Sequence, residues 1–334
     1  MKFRTDMKFR TEIDIKPFVE KVDHSSRLFS VGSCFARYMA DEFRSAKFSI
    51  CSNPFGVMFN PASIHSALTR IVECREFTSA NMVFDRGRWF CYDLHSAFNR
   101  SDVEQGLLEA NAAVKQGHEA LSRADWVIIT FGTAWVYTLN ESGEIVANCH
   151  KMPSTHFTRR RLSVAEIVEM YDGLMRGALA GKKVIFTVSP VRHLGDGADE
   201  NFLSKAILKV AVSELVERFD NAYYFPAYEI LNDDLRDYRF YDEDLCHPSV
   251  QARGYIGEKF FEAVLSEGAK RLLPRIERIA RAVTHRPLDA GSEAFGEFCR
   301  RQIEEIESLP GIDFGEERKY FASFLEDIAI KELN

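Results

Sequence analysis

A chain of 334 residues, 46% hydrophobic and 28% charged, has enough apolar material for one large domain or a domain with an appendage. Its formal net charge of −7 excludes the broadly basic surface that non-specific nucleic-acid binding uses, and no stretch approaches the ~20 apolar residues that span a bilayer. The seven cysteines lack any C-x-x-C spacing, which excludes zinc-ribbon and thioredoxin motifs; their odd number and the absence of an apolar leader in Met1 to Glu20 point to reduced thiols and a cytoplasmic chain.

The pentapeptide MKFRT occurs at residues 1–5 and again at 7–11, and reads as a duplicated start with no functional content. Leu28 to Val31 forms a short apolar strand that ends at Gly32. Phe35, Met39 and Phe43 then recur every four residues, which makes one apolar helical face. Gly32-Ser33-Cys34 therefore falls on a strand-to-helix turn, where a helix N-terminus can present a nucleophile. Asn53-Pro54-Phe55-Gly56 is a turn, and Asn60-Pro61 marks a boundary before a helix from Ser63. Met82 to Tyr92 reads as a hairpin or a loop insertion. A helix from Val103 to Ser122 leads to a buried strand, Trp126 to Phe131, that ends at Gly132.

Arg159, Arg160 and Arg161 precede a helix that Ser163 and Glu166 cap and that runs to about Ala180. Such a run is a solvated face more often than an anion site. Lys183 to Val188 is a second buried strand, stopped by Pro190. A helix from Ser204 to Phe219, a short strand from Tyr223 to Phe225, a loop from Tyr241 to Pro248 and a helix from Ser249 to Leu265 complete the pattern. Strands and helices alternate. That predicts an α/β three-layer sandwich with a mostly parallel central sheet, in which ligands gather beyond the carboxyl ends of the strands. This α/β domain is expected over residues 8–266. Residues 267–334 read as a helical C-terminal extension, punctuated by Pro287 and Pro310, that packs on the core or joins copies into a homo-oligomer.

Two short segments carry chemistry. In Asp244-Leu245-Cys246-His247-Pro248-Ser249, an Asp three residues before a His can bond the imidazole Nδ1 and leave the other nitrogen as a general base. Ser249 can cap the helix that follows. Taken separately, the Gly-Ser-Cys turn is a tight turn with a small buried thiol, and the Asp-x-x-His segment is an acidic loop. In the order nucleophile, Asp, His they reinforce one another. His150, His156 and His193 lie near loop ends and read more readily as surface or satisfied polar residues. No His-x-His, H-E-x-x-H or Gly-rich phosphate motif occurs, so neither a metal nor a cofactor is expected.

Gly32-Ser33-Cys34-Phe35-Ala36, with Asn53-Pro54-Phe55-Gly56, Phe131-Gly132-Thr133-Ala134-Trp135, Ser189-Pro190-Val191-Arg192, Tyr224-Phe225-Pro226 and Asp244 to Ser249, resembles the GSCFA family. That family is grouped with the SGNH (GDSL-like) hydrolases. The resemblance covers roughly residues 8–265 and implies a flavodoxin-like sandwich. It also implies a hydrolase or acyltransferase acting on an acyl ester or thioester, carbohydrate O-acyl groups among them, through a covalent acyl-enzyme.

Laying the family's Gly-Asp-Ser block on Gly-Ser-Cys makes Cys34 the nucleophile, with Ser33 in that role if the turn is shifted by one residue. Asp244 and His247 complete the triad. A thiol at a helix N-terminus beside a histidine is expected to ionise more readily than usual. Gly56 matches the block whose backbone N–H serves the oxyanion hole, with Asn53 nearby. The Asn of the third block is missing from Gly132-Thr133-Ala134, so the Thr133 hydroxyl or the Asn53 amide is expected to replace it. Gly32 and Arg192 complete the expected pocket lining. The missing Asn also leaves open a catalytically degenerate module that binds a glycan or acyl ligand.

Overall fold

The structure is a computed structural model that describes residues 10–285, 287 and 289–332, so the repeated MKFRT falls largely outside the described residues. In chain order the first elements are β1 (Arg27–Gly32), α1 (Cys34–Ser45), β2 (Ser49–Ser52), α2 (Pro61–Val72), β3 (Val83–Asp85), β4 (Arg88–Phe90), α3 (Val103–Arg123) and β5 (Trp126–Phe131). Then come β6 (Trp135–Leu139), β7 (Ile145–Val146), β8 (Phe157–Arg161), α4 (Val164–Arg176), β9 (Lys183–Val188), α5 (Ala198–Arg218) and β10 (Ala222–Phe225). A short α6 (Ala227–Glu229) continues as a π-helical turn over Ile230–Leu235, and α7 (Val250–Val264), α8 (Glu267–Thr284), α9 (Glu293–Glu307) and α10 (Gly315–Glu332) close the chain.

The central sheet has five strands in the order β10-β9-β5-β1-β2. The pairs β1/β5, β5/β9 and β9/β10 are parallel, with Gly32 opposite Thr130 and Thr130 opposite Thr187. Every residue of β5 and all but the first of β9 are buried, which explains why both read as unbroken apolar runs rather than alternating ones. Alternation still sorts the faces. Phe29, Val31, Val127, Ile129, Phe131, Val184, Phe186 and Val188 join one cluster with residues of α2, α3, α4 and α5. Leu28, Trp126, Ile128 and Ile185 are buried on the other face, where Phe260 of α7 stacks edge-on against Phe225 of β10 with ring centroids 4.6 Å apart. Helices thus cover both faces: the molecule is an α/β sandwich with a mostly parallel sheet.

The chain divides into two compact units. The first comprises Arg27–Asp41, Ile50–Ala263 and the segment ending at Phe18, and holds the sheet. The second comprises Val19–Ser26, Glu42–Ser49 and the chain from Val264 onward. Its core is Ile276 and Ile279 of α8, Phe295, Cys299 and Ile306 of α9, Leu309, Phe314 and Phe321. Ser266 caps α8, and Lys47 pairs with Glu317 at 2.5 Å while lying over the Phe314 ring. Among the described residues no helix is long and apolar enough to cross a membrane.

Several local expectations need adjustment. The helix expected from Ser204 begins at Ala198, and the one expected to reach Ala180 ends at Arg176, although the Ser163–Glu166 capping box is formed as read. The three arginines lie on β8, in an antiparallel sheet of order β7-β6-β8 that the sequence reading did not foresee. Alternation puts Arg159 and Arg161 over the Trp135 ring, and all three arginines pair with carboxylates: Arg159 with Asp196, Arg160 with Glu166 and Arg161 with Glu200. They are a paired structural ladder.

Candidate active site

Gly32 carries β1 into α1 at φ +143°, and a Cβ there would stand 2.2 Å from the Thr130 carbonyl oxygen, so the sharp turn admits only glycine. Asn53 Oδ1 accepts from the Gly32 N–H at 2.8 Å, and Asn53 N–H donates to the Ser30 carbonyl, which ties β2 to the turn. Ser33 is only 1% exposed, and its Oγ accepts from the Phe35 N–H at 3.3 Å as a cap of α1. Cys34, the next residue, is partly exposed and lines a cavity of about 170 Å3 together with His247.

His247 is held by its own loop. Asp244 Oδ2 sits 2.6 Å from the imidazole Nδ1, and Oδ1 accepts the backbone N–H groups of Cys246 and His247 at 2.9 Å each. These bonds, the His247 backbone first and its ring second, hold the Asp244 carboxyl down to about 2. Leu245 takes a positive φ of 57° to let the loop close, and the Ser249 hydroxyl accepts from the Ala252 N–H at the start of α7, as its sequence position implies. Arg192 braces the same loop: its backbone N–H reaches the Cys246 carbonyl at 3.0 Å and its Nη1 the Leu245 carbonyl at 3.2 Å. Its guanidinium then lies over Tyr241, on the wall of a separate cavity of about 290 Å3.

The remaining predicted residues are engaged differently from what was expected. The Gly56 N–H donates to the Asn53 carbonyl at 2.8 Å within the turn, so it is not free to receive an oxyanion. The Thr133 hydroxyl shares a 3.1 Å bond with Ser204 and accepts from the Trp135 N–H. The Gly132 N–H donates to the Phe59 carbonyl at 2.7 Å. Asn53 keeps a donor: its Nδ2 is buried with no partner among the described residues. The Cys34 thiol is not more acidic than usual. Burial pushes its pKa up, against the smaller pulls of the Arg37 guanidinium and of Cys34's own backbone N–H, so desolvation outweighs the helix terminus.

Four groups near the site were missed or undervalued. Arg37 and Arg253 line the Cys34–His247 cavity. Arg37 lies one helical turn after Cys34, a spacing that could have exposed it. Lys205, 2% exposed, donates to the Gly132 carbonyl at 2.6 Å and the Ser189 carbonyl at 2.7 Å, and so ties together the carboxyl ends of β5 and β9. Burial lowers its pKa to about 7. Burial, then Lys205 and His247, push the His193 imidazole down to about 4, and its Nε2 is buried without a partner among the described residues. His193, Thr133, Trp135 and Arg159 line a larger cavity of about 540 Å3. No group of three or more His, Cys, Asp or Glu side chains able to hold a metal occurs among the described residues.

A sequence model of the GSCFA family matches residues 27–260, and one described as the C-terminal domain of GSCFA domain proteins matches residues 276–327. No curated protein matches the chain. Among solved structures, a protein from Streptococcus pneumonia provisionally named a platelet activating factor is 12% identical, with a TM-score of 0.34, over 72% of this chain and 86% of that one. The acetyl xylan esterase Est2A from the rumen bacterium Butyrivibrio proteoclasticus is 11% identical, with a TM-score of 0.34, over 72% of this chain and 64% of that one. The family match spans well over half of the sequence and contains the Gly32 turn, Cys34 and the Asp244–His247 loop: the chain belongs to the GSCFA family.

Proposed function

We propose that this chain is an SGNH-type hydrolase or acyltransferase that moves an acyl group from an ester or thioester through a covalent adduct on Cys34. The observation that carries the reading is one cavity lined by both Cys34 and His247, with Asp244 holding the imidazole Nδ1 at 2.6 Å. His247 Nε2 takes the thiol proton as the sulfur attacks the carbonyl carbon, and the carbonyl electrons move onto oxygen. Collapse re-forms the carbonyl and breaks the bond to the leaving oxygen or sulfur, which receives the proton from His247, and the acyl group stays on the Cys34 sulfur. Water, or a hydroxyl of an acceptor, then gives its proton to His247 and attacks; the carbon–sulfur bond breaks and the thiol is restored. A thiol whose pKa is raised by burial suits this concerted proton transfer better than a resting thiolate.

Cys34 is favoured over Ser33 because the Ser33 hydroxyl is buried and engaged in capping α1. The oxyanion donors in this reading are the Cys34 N–H and the unpartnered Asn53 Nδ2. A carbohydrate carrier is supported by the larger cavity, whose wall combines Phe59, Trp135 and Tyr137 with His95 and Asn148 and shares His193 with the surroundings of His247. The seven scattered cysteines support a cytoplasmic setting. Self-association through the C-terminal helices belongs to the same proposal; a monomer in sedimentation of the full chain at micromolar concentration removes it.

A second reading, a degenerate module that binds an acyl or glycan ligand without turnover, is favoured by one observation: the Gly56 N–H and the Thr133 hydroxyl are both engaged. Turnover of an acyl-ester and thioester panel decides between them. Hydrolysis or transfer by wild type that is lost in His247→Ala supports the enzyme. Ligand binding without turnover supports the module.

A further inference from the structure

The cavity beside Cys34 and His247 is also lined by Arg37, Tyr38, Asp41 and Arg253. Arg37 follows Cys34 by one turn of α1 and is exposed. Arg253 stands in the first turns of α7, just past the His247–Pro248 corner, with its guanidinium 4.9 Å from the centre of the Tyr38 ring. The Arg253 Nε is buried and finds no hydrogen-bond partner among the described residues. Among the described residues neither arginine pairs with a carboxylate, whereas the three arginines of β8 each have one. Two guanidinium groups against the single carboxylate of Asp41 leave the wall net positive. Holding a partly buried guanidinium without a counter-ion is costly unless a ligand supplies the charge. The planar fork of arginine fits an oxyanion group better than a neutral one.

We infer that the substrate of the Cys34 site carries a phosphate or carboxylate close to its acyl bond, and that Arg37 and Arg253 bind this anion. The inference rests on the acyl-transfer reading and names the substrate class of that same site. The small cavity, about 170 Å3, suits a short acyl group and one anionic group, not a long chain.

Alkylation tests anion recognition without requiring turnover. In each case the Cys34 sulfur displaces iodide, from anionic iodoacetate or from neutral iodoacetamide, and peptide mass mapping reads the rate at each cysteine. In wild type, the iodoacetate-to-iodoacetamide rate ratio is expected to be about tenfold higher at Cys34 than at the partly exposed Cys246. Arg37→Gln and Arg253→Gln each remove most of that preference, and Arg253→Lys, which keeps the charge and guards against a folding defect, retains part of it. An equal ratio at both cysteines in wild type, unchanged in the Gln variants, overturns the inference. A second arm compares phenyl acetate with its 4-carboxy and 4-phosphonooxy derivatives. An about tenfold gain in kcat/KM for one anionic ester, lost in the Gln variants, supports the inference and tells carboxylate from phosphate. If no ester turns over while the alkylation preference stands, the acyl-transfer reading fails and the anion site remains.

Discussion

Asp244 grips His247 twice, through the imidazole Nδ1 at 2.6 Å and through the backbone N–H at 2.9 Å. One carboxylate thus sets both the orientation of the ring and the shape of the loop that carries it. With Nδ1 occupied, Nε2 is left for proton transfer.

Replacing Asp244 by Asn keeps the size of the side chain but removes its charge. Acyl transfer should fall on the order of 100-fold or more, the range in which an oriented general base contributes. The wild-type carboxyl stays ionised down to about pH 2, so the hydrogen-bonded Nδ1 proton, followed by NMR, should persist at pH 3. Its absence at neutral pH in wild type would count against the pairing.

The Cys34 thiol should titrate above its ordinary value, because burial disfavours the thiolate more than Arg37 favours it. Iodoacetamide alkylation, mapped to Cys34, should therefore still accelerate beyond pH 9. Arg37→Gln should move the midpoint higher, since it removes a charge that stabilises the thiolate. A midpoint near 7 would restore the helix-terminus expectation.

Arg192 holds the Asp244–His247 loop through the carbonyls of Leu245 and Cys246 and lies over the Tyr241 ring. Arg192→Ala should slow acyl transfer by roughly tenfold. The change should appear in kcat more than in KM, and the chemical shifts of the His247 ring protons should change with it. Thermal unfolding should be nearly unchanged, because the hydrogen bond to the Leu245 carbonyl is solvent-exposed. An unchanged kcat would reduce Arg192 to a surface residue.

Lys205 makes a pH-dependent contribution whose sign is determined. Its folded pKa is about 7 and its ordinary value 10.5, so between these limits the unfolded chain binds the extra proton. Stability from this group therefore rises with pH across that window, by up to about 1.4 kcal/mol per pH unit. Urea unfolding at pH 7, 8 and 9 should show the gap between wild type and Lys205→Met changing in favour of wild type as pH rises. A gap independent of pH would mean that Lys205 remains charged throughout.

What could be read from the sequence was local. The β1–α1 turn was legible because a buried run meets apolar residues at helical spacing, and Phe35, Met39 and Phe43 are all buried as that spacing requires. The Asp244–His247 bond was legible because its partners are three residues apart. Long-range hydrogen bonding was not. Thr133 finds Ser204 across 71 residues and Lys205 finds Gly132 across 73, and nothing in a linear pattern announces either bond. The same blindness made Thr133 look available for an oxyanion, whereas the Gly56 N–H is taken by a local bond that closes the Asn53–Gly56 turn. The small sheet of β6, β7 and β8 escaped because its strands are short and its arginine run looked like a solvated face. In the fold, alternation turns that run into stacking on Trp135 and ion pairs on both sides. For the thiol, helix position was weighed and burial was not, and burial prevails.

The most direct test is intact mass spectrometry after exposure to acyl-ester and acyl-thioester substrates, on wild type, Cys34→Ala, Ser33→Ala and His247→Ala. An acyl adduct is expected on wild type that disappears in Cys34→Ala, forms slowly or not at all in His247→Ala, and survives in Ser33→Ala, whose cost is about 1 kcal/mol of stability from the lost cap of α1. An adduct retained in Cys34→Ala and lost in Ser33→Ala, or no adduct on any variant across the panel, would contradict it.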